Sequence, residues 1–130
     1  TFGDIRFGTH QLGGVNGGTQ AHGFYPPVNG DSASGDIHFD ELDTWAIGGV
    51  GGFDVFSVAL HELGHSLGLD HSADASAVMY PFYSGVVLGL AADDLAGIGA
   101  LYGNIPEPSA LVLVGLGLGI LMSARRRNGR

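Results

Sequence analysis

The 130-residue sequence predicts one α+β domain, residues 1–104, followed by a separate segment, residues 105–130. Three observations carry this. Short alternating runs separated by glycine-rich loops fill the first half of the domain, and such runs read as strands. A helical period then takes over from Asp54 to Leu67, and a second from Asp93 to Tyr102. Beyond these, Ala110–Ala124 runs without a charge into an arginine cluster.

Asp4–Gly8 (DIRFG) alternates apolar with polar residues and predicts the first strand. Gly13–Gly18 is a turn-forming loop, and Gln20–Tyr25 predicts a short edge strand halted by Pro26-Pro27. Asp36–Asp40 (DIHFD) predicts a third strand and Trp45–Ile47 a fourth. Val55, Val58, Ala59, Glu62, Leu63 and Ser66 fall at helical spacings, and Gly68 ends that helix. Leu69–Ser84 has no period and reads as loop. The second helix opens on Asp93-Asp94, acids suited to the positive end of a helix dipole, and stops at Gly103.

Composition removes several functions. Cysteine is absent, so there is no disulfide scaffold, thiolate metal site or thiol nucleophile. Residues 1–124 carry one arginine against all thirteen acids, a net of −12 with histidine neutral. That body offers no electrostatic footprint for nucleic acid. Carboxylate-rich loops suit divalent cations instead.

The informative stretch is His61-Glu62-Leu63-Gly64-His65-Ser66-Leu67-Gly68-Leu69-Asp70-His71. On a helix, His61 and His65 stand one turn apart on the same face, so two imidazoles converge on one ion. Gly68 lets the backbone leave the helix sharply, bringing His71 round as a third ligand. Three protein ligands with an open fourth position describe a catalytic zinc site, with Glu62 beside it as general base.

With Ser72 after the third histidine and Met79 in Val78-Met79-Tyr80-Pro81, the chain resembles the matrixins, zinc endopeptidases of the metzincin group. The resemblance covers about residues 2–103 and implies a mixed twisted sheet with an active-site helix and a C-terminal helix. It implies that Met79 forms an apolar floor under the zinc and that Glu62 activates the water that hydrolyses a peptide bond. It implies that the strand containing Ala21 lines the substrate cleft, with Pro81 and Tyr83 walling the pocket for the residue after the scissile bond. The family's first strand and long helix have no counterpart before Asp4, so the sequence reads as a catalytic domain shortened at its N-terminus.

The resemblance also implies two further metal sites. His10, His22 and His38 match a structural zinc, although Leu12 stands where an aspartate is expected. Asp36, Asp40 and Asp43 match calcium carboxylates, although Asp43 replaces a glutamate and Gly13-Gly14 stand where a loop aspartate is expected. The bland readings are hydrogen-bonded strand histidines and a solvated acidic loop.

Ile105-Pro106-Glu107-Pro108, the uncharged run and Arg125–Arg127 resemble the bacterial PEP-CTERM sorting signal, which is read by an exosortase. The alternative is a plain C-terminal membrane anchor, although spanning helices want about 20 residues. Either implies export to the cell envelope or beyond, with at least transient anchoring in the membrane by this helix. The overall expectation is an exported zinc endopeptidase acting on extracellular protein. The alternative is a metal-stabilised surface protein without activity, against which the presence of Glu62 argues.

Overall fold

A computed structural model describes residues 5–26 and 32–103. Five strands precede two helices: β1 (Phe7–His10), β2 (Ala21–Gly23), β3 (Ile37–Asp40), β4 (Trp45–Ala46), β5 (Phe53–Asp54), α1 (Val55–Ser66) and α2 (Ala92–Tyr102). The strands form a three-stranded sheet in the order β1-β3-β2 and a two-stranded pair, β4-β5. β1 runs parallel to β3 and β2 antiparallel to it, so the main sheet is mixed, as expected.

Two expectations shift. The first strand lies at Phe7–His10, not Asp4–Gly8, because its place is fixed by pairing Gly8 opposite His38 and His10 opposite Asp40. The parallel pairing of Trp45 with Phe53 and Ala46 with Asp54 was not foreseen. A two-residue strand ending on a helix cap leaves no period to read.

β3 is the buried centre. Ile37 is fully enclosed and packs with Ala21, Phe39 and Val58, while Trp45, Val55, Ala59 and Leu63 close around them. The Trp45 ring stands edge-on to Phe39, and its indole N–H donates to the Asp40 carbonyl at 2.8 Å. Helix α1 thus lies across the sheet with Val58 and Leu63 inward. Its start is fixed by Asp54, whose Oδ2 accepts the Ser57 N–H at 2.9 Å and the Ser57 hydroxyl at 2.6 Å. Ile5 and Phe7 remain 41% and 65% exposed.

Helix α2 locks the loop after His71. The buried Asp94 carboxylate accepts the N–H groups of Val78 (2.9 Å), Met79 (3.1 Å) and Ala91 (2.8 Å). At the other end of α2 the Tyr102 hydroxyl donates to the Leu67 carbonyl, 2.7 Å away. The segment 105–130, with its expected helix and sorting signal, lies outside the described residues. Among the described residues no helix is long and apolar enough to cross a membrane.

Candidate metal centre

All six histidines of the chain fall into two clusters of three, and within each cluster the ligand nitrogens lie within 4.8 Å of one another. The first is His61, His65 and His71. Helix α1 supplies the first two, with ring centroids 4.8 Å apart. The chain then turns at Gly68 (φ 94°), a left-handed conformation that favours glycine, and returns His71 to 4.8 Å from the His65 ring.

Hydrogen bonds set the tautomers. His61 Nδ1–H donates to the Val78 carbonyl at 2.7 Å, and His65 Nδ1–H donates to the Leu69 carbonyl at 2.8 Å. A carbonyl can only accept, so Nδ1 carries the proton and Nε2 presents a lone pair. Burial pushes the pKa of both rings down, which favours the neutral form that binds metal. His65 Nε2 and His71 Nε2 stand 3.2 Å apart. Two nitrogens bound tetrahedrally to zinc at about 2.0–2.1 Å are themselves about 3.3–3.4 Å apart. The donor set and its spacing therefore fit zinc.

Met79 is buried, with its sulfur against Gly64 in α1, the residue before His65, where any side chain would collide with it. Glu62 is only 6% exposed, and its Oε2 is buried without a partner among the described residues. Burial raises its pKa to about 7, against the opposing pull of the Gly23 N–H. An enclosed carboxyl with an orphaned oxygen beside three converging imidazoles suits a general base whose partner is a water in the cleft.

The cleft lies between α1 and β2, which among the described residues pairs only with β3 and so forms a sheet edge. Ala21, Tyr25, Glu62, His65, His71 and Phe82 line its open part. Beyond His61 it continues into a cavity of about 60 Å³ lined by Ser57, Val58, Val78, Tyr80, Pro81 and Tyr83. That volume admits one side chain rather than a whole ligand.

The second cluster forms across the main sheet. His22 and His38 are paired residues of β2 and β3, and β1 brings His10 alongside. His38 Nδ1 lies 3.2 Å from both His10 Nε2 and His22 Nε2. Burial, then the neighbouring His38 and His10, push the His22 pKa down. These three residues also fit a zinc ion.

The carboxylates matched to calcium each have partners within the protein. Asp36 is held by Arg6 through two bonds of 2.8 and 2.7 Å. Asp40, fully buried, accepts the N–H groups of Gly13 (2.8 Å) and Leu42 (2.9 Å). Asp43 accepts the Asn16 N–H at 2.6 Å, while the Asn16 side-chain oxygen accepts the Thr44 N–H at 2.9 Å. Among the described residues the three carboxylates form no common cluster. Backbone donors of the glycine-rich loop engage Asp40 and Asp43, and the expected calcium site is not shown among the described residues. Sequence reasoning also missed the Asp94 clamp and the carbonyls that orient His61 and His65, since backbone acceptors leave no trace in residue type.

Three converged histidines on a helix and its following turn, an adjacent buried glutamate and a buried methionine against that helix form a candidate metal centre of metzincin type on a mixed sheet. The chain belongs to the matrixin family, whose profile matches residues 2–103. A second profile, the PEP-CTERM protein-sorting motif, matches residues 104–127. The chain is similar to karilysin of Tannerella forsythia, 44% identical over 99 residues, which are 74% of this chain and 21% of that protein. It is similar to the hatching enzyme of Paracentrotus lividus, 47% identical over 107 residues (77% of this chain, 17% of that protein). Human matrix metalloproteinase-25 is 45% identical over 98 residues (70% of this chain, 17% of that protein). The chain thus spans about a fifth of the length of these relatives.

Proposed function

We propose that this chain carries the catalytic core of a zinc-dependent endopeptidase that hydrolyses extracellular proteins. The observation that carries the reading is the buried Oε2 of Glu62, without a partner among the described residues, beside the converged imidazoles. His61, His65 and His71 would hold the ion. Zinc bound there supplies a Lewis acid that polarises a peptide carbonyl and makes water more acidic.

Glu62 Oε2 takes the proton of the attacking water as its oxygen adds to the carbonyl carbon, then delivers that proton to the leaving amine. Burial favours both halves of this cycle, because it keeps the carboxyl pKa near neutrality. The substrate lies extended along β2, where backbone hydrogen bonds at the sheet edge near Ala21 hold it. Its residue after the scissile bond enters the cavity walled by Pro81 and Tyr83, which selects medium or large apolar side chains.

His10, His22 and His38 would hold a second, structural zinc that staples β1, β2 and β3. The sorting motif implies that an exosortase-type enzyme processes the protein near Pro106–Pro108 during export by a bacterial cell, after transient anchoring through residues 110–124. The direct test is cleavage of casein or gelatin by the purified, zinc-loaded chain. Cleavage abolished by chelation and restored by zinc supports the reading; no cleavage under any loading contradicts it.

A further inference from the structure

The cluster of His10, His22 and His38 is built to converge. β1 and β3 set Gly8 opposite His38, where a side chain would crowd the ring, since its Cβ would come within 3.1 Å of His38 Cδ2. His10 Nδ1–H donates to the Gln11 carbonyl at 3.2 Å, which leaves the Nε2 lone pair facing His38. The Phe24 ring stands edge-on to His22 and His38, with centroids 4.8 and 5.4 Å away, and closes one side. His10 is exposed and the other two histidines are half-buried, so the cluster borders solvent.

No acid completes it. Among the described residues the group consists of three imidazoles without a carboxylate. Asp36 and Asp40, which flank His38 in sequence, are engaged elsewhere: Asp36 by Arg6, and Asp40 by the N–H groups of Gly13 and Leu42. Leu12, two residues after His10, has no side-chain donor, and its own N–H is held by the Asp40 carboxylate.

We propose that a zinc ion on His10, His22 and His38 keeps its fourth position open to solvent and takes a small monodentate anion there. The centre is then a site for an external ligand as well as a staple for three strands. The proposal rests on the reading of this cluster as a zinc centre.

The coordination chemistry favours this. Structural zinc sites fill four tetrahedral positions with protein ligands, whereas three protein ligands leave one position for a ligand from outside. Three neutral imidazoles also leave the double positive charge of the ion uncompensated, which draws an anion in preference to water. The one arginine or lysine among the described residues, Arg6, is bound to Asp36, so anion binding at this place depends on the metal.

The test uses the full chain carrying His61→Ala and His65→Ala, which removes the first triad. Cobalt(II) replaces zinc, because its visible bands report the coordination that a filled d shell hides, and azide serves as the anion. Native mass spectrometry should find one cobalt per chain, and none once His22→Ala is added. Azide should change the visible bands in a saturable titration, with one azide per cobalt. Leu12→Asp should keep the cobalt and lose most of that response, because its carboxylate takes the open position. Bound cobalt whose bands azide leaves unchanged overturns the open position while the metal reading stands. No cobalt on the folded chain overturns the metal reading and the proposal with it.

If circular dichroism shows that the double variant does not fold, the unaltered chain loaded with two cobalt ions decides. It should take up two azides per chain, against one in Leu12→Asp. Equal uptake by the two proteins overturns the proposal.

Discussion

His61 Nδ1–H donates to the Val78 carbonyl at 2.7 Å, so the first histidine of the triad is tied to the residue immediately before Met79. Asp94 holds the same backbone from the other side through the N–H groups of Val78 and Met79. The centre is therefore braced by α2 as well as by its own helix.

Asp94→Ala should remove an acceptor from three buried or half-buried N–H groups. Charge-assisted bonds and the donors left unpaired put the cost at about 3 kcal/mol. Chemical denaturation should show the midpoint falling with the slope unchanged. Zinc affinity should weaken too, because Val78 no longer fixes His61. A wild-type midpoint would mean that the clamp carries no stability.

Gly64→Ala should push a methyl group into the Met79 sulfur. Overpacking of this kind costs about 1–3 kcal/mol. Thermal melting of the zinc-loaded variant should report it, and Met79→Ala added to the same chain should recover part of the loss. No recovery would place the strain elsewhere.

Calcium should not alter the melting temperature of the zinc-loaded protein, since Gly13, Leu42 and Asn16 already satisfy Asp40 and Asp43. A rise of several degrees in millimolar calcium would show that the loop opens to accept the ion.

Acid should expose the same design at the helix start. The Ser57 hydroxyl and N–H hold the Asp54 carboxyl below its ordinary range. A depressed folded-state pKa gives stability that is complete above the unfolded value, near 3.8, and that is lost as pH falls through the folded value. Melting temperature should therefore drop as pH falls below that value, and the drop should be smaller in Asp54→Asn. Parallel curves for the two proteins would show that Asp54 contributes nothing to it.

Much of this arrangement was legible in residue order, for physical reasons. Helical spacing reveals α1, because one face must be apolar, and the same spacing puts His61 and His65 together. The expected helix from Asp54 to Leu67 differs from Val55–Ser66 only by the caps. What was not legible depends on partners distant in sequence. β1 takes its position from β3, and the Asp40–Gly13 bond spans 27 residues between a strand and a loop with no period. The link from Tyr25 to Asp70 spans 45 residues and likewise has no local signature. Residue type shows which carboxylates can bind a cation, but not that backbone donors reach Asp40 and Asp43.

The most direct test of the account is Glu62→Gln, which keeps the shape of the side chain and removes its basicity. Zinc content, measured by mass spectrometry of the native protein, should equal that of the unaltered chain. Peptide hydrolysis should fall by about 10²–10⁴-fold, the usual worth of a general base. Retained zinc with near-normal turnover would contradict the assignment of Glu62, and with it the reading of this site.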